Sequence, residues 1–136
     1  MLEFLSNNWL GIVLATVVAM AIGSLWYSNL LFGKQWQKLA KLSDKDLKNS
    51  RAQAMVIMLV MAFVSAYVLK RFLVISDPKT VLEAVKVAAW IWLGFVATYV
   101  ISGGVFEKRP PKLMALHLGN QLITLVVMAA ILFNVN

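Results

Sequence analysis

Glu3 apart, the charged residues of this chain fall into three clusters, and four uncharged stretches fill nearly everything else. Phe4 to Gly33, Ala52 to Leu69, Val87 to Phe106 and Leu113 to Asn136 contain no Asp, Glu, Lys or Arg. An α-helix rises about 1.5 Å per residue and the hydrocarbon core of a bilayer is about 30 Å thick, so roughly 20 apolar residues cross it. Each stretch is long enough. Lipid offers no partner to an exposed peptide group, so spans of this kind must be helical. The strict alternation of a barrel strand is absent. The pattern predicts an all-α fold, a bundle of four transmembrane helices over about 9–32, 52–69, 87–106 and 113–133, forming one integral membrane domain.

Helix punctuation refines these limits. Ser43-Asp44-Lys45-Asp46 resembles a capping box with Asp in place of Glu, so the second helix is expected to start there and to enter the membrane near Ala52. Asp77-Pro78 reads as an N-cap followed by proline at the first position of the third helix. Pro110-Pro111 ends the third helix or opens the fourth. In the first loop, Phe32, Trp36 and Leu39 follow one helical stripe and Lys34, Lys38, Lys41, Lys45 and Lys48 another. This predicts a short basic amphipathic helix lying in the headgroup layer.

Composition agrees with a membrane setting. Of 136 residues, 61% are hydrophobic and 14% charged. There is no cysteine, which removes disulfides, thiolate metal sites and thiol catalysis. The net charge of +7 does not point to nucleic acid, because the basic residues flank spans, where topology and anionic headgroups account for them. Ala19-Met20-Ala21 resembles a signal-peptide cleavage site, but Glu3 precedes it without any Lys or Arg, and the apolar run continues to Phe32. An uncleaved first span is expected. Loop one carries Lys34, Lys38, Lys41, Lys45, Lys48 and Arg51, and loop three Lys108, Arg109 and Lys112. Loop two carries Lys70, Arg71, Lys79 and Lys86. The positive-inside rule then puts loops one and three in the cytoplasm and both termini outside.

Gly11, Ala15, Ala19 and Gly23 recur every four residues along the first span. Small residues at this spacing let helix backbones approach closely, the main source of association in lipid. The stripe can face a helix of the same protomer or of a second copy. Four short helices enclose little, so a homo-oligomer is expected, with membrane lipid as the other partner.

Candidate chemistry is sparse. Glu3, Glu83 and Glu107 all lie at the ends of spans, so the membrane-embedded Glu on which small multidrug transporters depend has no counterpart here. His117, five residues beyond Lys112, is the only ionisable group placed inside a span, about 7 Å deep by helix rise. Asn120 and Gln121 lie three and four residues further on, at same-face spacing. These groups can form a polar pocket or an interhelical hydrogen bond. With no second His, Cys or carboxylate at ligand spacing, no metal site and no cofactor are expected. At the end of span one, Trp26 and Trp36 suit interface anchors, whereas Tyr27, Ser28 and Asn29 need hydrogen-bonding partners. In the expected topology, Trp26, Tyr27, Ser28, Asn29 and Lys34 share one membrane face with Glu107 and Arg109 and with His117, Asn120 and Gln121. That convergence is the candidate ligand-binding site, and no catalytic set is recognisable in it. Trp90, Trp92, Thr98 and Tyr99 suit packing and the opposite interface.

The run from Gly23 to Trp36, Gly-x-Leu-Trp-Tyr-Ser-x-x-Leu-Phe-Gly-Lys-x-Trp, resembles the signature of a small bacterial membrane family catalogued as domain of unknown function 1761. Trp92-Leu93-Gly94-Phe95, Phe106-Glu107-Lys108-Arg109-Pro110 and the Gly119-Asn120-Gln121 segment resemble its later blocks. The family's usual Tyr-Ser-Pro stands here as Tyr27-Ser28-Asn29, so a proline kink at this point is missing. The resemblance implies four spans and a bacterial-type cell membrane, the inner membrane, and carries no activity. The leading expectation is a non-enzymatic, homo-oligomeric bundle that binds lipid or a small amphiphile at its cytoplasmic face. The alternatives are a small transporter or channel built around His117, and a membrane enzyme for lipophilic substrates in which Tyr27, Arg109 and His117 serve as acid, anion clamp and base.

Overall fold

The computed structural model describes residues 9–135, so Phe4 to Asn8 of the first uncharged stretch and Asn136 lie outside the described residues. Five helices follow one another: α1 (Trp9–Trp26), α2 (Gly33–Leu39), α3 (Asp44–Ser76), α4 (Val81–Phe106) and α5 (Pro111–Asn134). All but α2 are long and apolar enough to cross a membrane.

Helix α1 stops at Trp26, short of the expected limit at residue 32. No proline is needed to stop it. The Ser28 hydroxyl donates to the Leu25 carbonyl at 2.6 Å and accepts from the Leu30 amide at 3.3 Å. A serine that hydrogen-bonds the nearby backbone in this way competes with the helix ladder. The chain then turns sharply enough for the Gly33 amide to reach the Ser28 carbonyl at 2.7 Å and for the Phe32 amide to reach that of Trp26 at 3.0 Å.

Helix α2 lies in the first loop but ends at Leu39, and Lys41 adopts a left-handed φ of 57°. The basic stripe is therefore split, with Lys34 and Lys38 on α2 and Lys45 and Lys48 on α3. Ser43 caps α3 in the expected capping box, its side chain accepting from the Asp46 amide while Asp46 accepts from the Ser43 amide.

At its far end α3 runs on to Ser76, taking in Lys70 and Arg71, which the charge pattern had assigned to loop two. Lys70 is buried, 7% exposed, and its Nζ donates to the Leu132 carbonyl at 3.2 Å. A cation is favourable among the last carbonyls of α5, where the helix ladder supplies no donors and the macrodipole is negative. Asp77 is not an N-cap: it closes α3 in a left-handed conformation, and Thr80 caps α4 by accepting from the Glu83 amide. In this turn the Lys79 ammonium binds the Asp77 carboxylate at 2.7 Å, which holds Lys79 above its usual pKa. Pro111 opens α5 at its first position, and Pro110 precedes it as N-cap.

Helix α5 is the hub, packing against all four of the others. The buried core gathers at the end of the bundle away from the basic loops: Ile12 and Ala15 of α1, Ala66, Leu69 and Leu73 of α3, Ala84 and Ala88 of α4, and Leu125, Met128, Ala129 and Leu132 of α5. The small-residue stripe is used inside the protomer. A Cβ on Gly11 would stand 2.6 Å from the Val135 carbonyl oxygen, and Gly23 faces Met58 of α3. Towards the basic end α3 separates from its neighbours, and every residue from Lys48 to Met61 is exposed.

Candidate functional site at the basic end of the bundle

The broken end of α1 carries the polar residues of the site. Because the helix stops at Trp26, Tyr27 is free to cross to α5, where its hydroxyl lies 2.6 Å from His117 Nδ1. With the imidazole proton on Nε2, the phenol donates and Nδ1 accepts. Asn120, one turn further along α5 and 7% exposed, stands beside the Tyr27 phenol. The Tyr27 ring meets Trp36 of α2 edge-on, with centroids 5.0 Å apart. One tyrosine thus ties α1, α2 and α5 together.

Trp26 fills the space beside it. A Cβ on Gly119 would lie 3.2 Å from the Trp26 ring, and Phe32 packs on the other side with centroids 4.6 Å apart. Any side chain at Gly119 would press on the indole and require it to shift by a few tenths of an ångström. Helix α4 braces the same stretch of α5 through a π-helical turn, Trp92–Ala97, from which the Trp92 indole N–H donates to the Leu118 carbonyl at 2.9 Å. Single π-turns inside α-helices are frequent at functional sites. Among the described residues, three buried polar atoms have no partner within the protomer: Trp26 Nε1, Asn120 Oδ1 and Thr124 Oγ1. All three belong to the junction of α1 and α5.

In front of Tyr27 opens a pocket of about 510 Å³. The turn supplies Tyr27, Ser28, Asn29 and Gly33; α2 supplies Trp36 and Gln37; and the first turns of α3 supply Asp44, Leu47, Lys48 and Arg51. Gln37 Nε2 donates to Asp44 Oδ1 at 2.7 Å and holds α2 against α3. Of the residues expected at the site, Tyr27, Ser28 and Asn29 line the pocket, while Trp26, His117 and Asn120 stand behind it, outside the lining, around the Tyr27 side chain and the α1–α5 junction. Lys34 stands exposed on α2 outside the pocket lining, and Gln121 points away from the buried face of α5. Glu107 and Arg109 form an exposed ion pair of 2.5 Å with each other, also outside the pocket.

Sequence reasoning overlooked the contribution of α3. Asp44, Lys48 and Arg51 recur at helical spacing, a visible signal, but only the fold shows that they line the same pocket as the Tyr27 turn. Among the described residues no three His, Cys, Asp or Glu side chains converge as metal ligands would. The arrangement can hold a polar or charged group beside an apolar surface.

No curated protein and no solved structure matches the chain. The model of one family, described as "Protein of unknown function (DUF1761)", matches residues 10–133, nearly all of the chain, and the protein belongs to that family.

Proposed function

We propose that this is a non-enzymatic membrane protein that binds a lipid or small amphiphile at its cytoplasmic end. The carrying observation is the pocket of about 510 Å³ in front of Tyr27, where the polar turn, two aromatic rings and two basic side chains meet beside the exposed apolar shaft of α3. The proposed setting is a bacterial inner membrane with loops one and three in the cytoplasm. That places the pocket at headgroup level in the leaflet whose anionic lipids attract Lys and Arg.

Self-association belongs to the same reading. The Gly11 to Gly23 stripe is used within the protomer, and α3, the least covered of the four long helices, ahead of α4 at 17%, is the element proposed for a second copy. Only 11% of the apolar window of α3 is buried, against 33% for α1 and for α5.

Native mass spectrometry of the protein released from mild detergent tests both parts. A defined oligomer carrying a discrete bound mass is expected. Tyr27→Ala and His117→Ala variants that keep their helical circular dichroism should lose that mass. Retention of the same bound lipid in both variants would rule out the site, and a bare monomer would rule out the assembly.

A further inference from the structure

The binding reading leaves open what kind of molecule the pocket selects, and its lining is asymmetric in charge. Lys48 and Arg51 project from one face of α3 at a spacing of three residues. Neither takes part in an ion pair among the described residues. Asp44 is the single carboxylate in the lining, and it is engaged by the Gln37 amide at 2.7 Å. With Asp44 still carrying its negative charge, the lining holds two cations and one carboxylate, a net positive balance. A guanidinium offers a planar fork that matches two oxygens of a phosphate, and an ammonium adds a point charge. Ser28 and Asn29 of the α1–α2 turn line the same pocket.

The surface below the cations is of the opposite character. From Ala52 to Met61 every residue of α3 is exposed, and all but Gln53 are apolar. Met55 is 44%, Val56 62% and Ile57 51% exposed, while Met58 reaches towards Gly23 of α1. A charged recess that opens onto an uncovered apolar shaft matches a molecule with an anionic head and a hydrocarbon chain.

We infer that the pocket takes the anionic phosphate head of a phospholipid, held by Lys48 and Arg51 against the Ser28 and Asn29 turn, with its chain lying along α3 below Arg51. This rests on the binding function proposed above and specifies its ligand. A second groove of about 460 Å³, lined by Gln35, Lys38, Leu39, Lys112, Ala115 and Leu116, provides an internal control. It carries two lysines, but no arginine and no polar turn.

The test is a titration of the full-length protein in neutral detergent, read by native mass spectrometry. The probes are dioctanoyl phosphatidylglycerol, dioctanoyl phosphatidylcholine and inorganic phosphate. Two basic contacts predict a preference of roughly ten-fold for phosphatidylglycerol over phosphatidylcholine. That preference should vanish in K48Q/R51Q, survive in the charge-keeping K48R/R51K, and survive in K38Q/K112Q. Inorganic phosphate at the same concentration should not displace the lipid. Binding of both lipids without preference would overturn the anionic head while leaving the binding function intact. Loss of preference in K38Q/K112Q would move the head to the other groove. Displacement by inorganic phosphate would make free phosphate the ligand and overturn the lipid. Absence of any adduct in the wild-type protein would remove the binding function itself.

Discussion

At Gly33 the space for a side chain is already occupied. A Cβ there would stand 2.6 Å from both the carbon and the oxygen of the Ser28 carbonyl, and 2.7 Å from the Tyr27 oxygen. These are backbone atoms and cannot swing aside. Gly33→Ala should therefore open the turn and destabilise the protein by about 1–3 kcal/mol, the usual range for forced overpacking. Gly103→Ala, with nothing within 4 Å of its Cβ, should be neutral or slightly stabilising. Thermal unfolding of the two variants in the same detergent checks the contrast. Tyr27 and His117 set a second expectation. Interhelical hydrogen bonds in membranes average only about 0.6 kcal/mol, because the unfolded chain in lipid also finds partners. Leaving a buried polar group unpaired costs about 1–3 kcal/mol. The pair is half-buried, so a Tyr27→Phe, His117→Leu double-mutant cycle should return a coupling of about 1 kcal/mol, between these limits. The resemblance of Gly23 to Trp36 to a known signature marked this turn as distinctive. Why Gly33 has to be glycine is visible only in the distance from its Cα to a carbonyl five residues earlier.

At the scale of elements, α3 and α5 begin where the sequence says, whereas α4 does not. Ser43 and Pro111 announce their starts through local chemistry that any fold would use, a side-chain oxygen meeting a free amide and a ring with no amide to lose. Ends are another matter. Lys41, Asp77 and Lys108 all take left-handed conformations, at φ 57°, 49° and 56°, and each lies immediately after a helix or its cap. This conformation favours glycine, and aspartate tolerates it better than lysine does. Lys108→Gly should stabilise the α4–α5 turn by about 0.5–1 kcal/mol, the relief of strain being partly offset by a more flexible unfolded chain. A rise in melting temperature without a change in helical content is the expected result. Asp77 shows why the sequence misled at the start of α4: Asp-Pro fits an N-cap locally, yet the packing of Leu69, Lys70 and Leu73 extends α3 past the charge of Lys70 and leaves Asp77 to close it.

The whole molecule is packed at one end and open at the other. Ala66, Leu69 and Leu73 of α3 are buried at the core end, whereas its basic half touches little. The chain has no cysteine, so single cysteines can be placed and spin-labelled without background. Oxygen accessibility along α3 should fall every three to four residues at Ala66, Leu69 and Leu73. Between Ala52 and Met61 a monomer should show no such period. Seating a second copy on α3 adds a minimum there, one that disappears when the assembly is diluted to monomers. A flat profile in the assembled protein would exclude α3 as the contact.

The sequence by itself determined the fold class. Four uncharged stretches of helical length became four helices long and apolar enough to cross a membrane, and because that pattern is local it could be read from composition and spacing. It also pointed to Tyr27, His117 and Asn120 as polar groups in need of partners. The tertiary structure decided which partners they have. Lys48 and Arg51 of α3 line one pocket with the Tyr27 turn, Glu107 and Arg109 satisfy each other outside the pocket, and Lys70 turns inward to the end of α5. These outcomes depend on the rotation of each helix about its axis and on where α1 breaks. Both are fixed by close contacts between residues far apart in sequence, such as Trp26 with Gly119 and Gly11 with Val135, which no local pattern encodes.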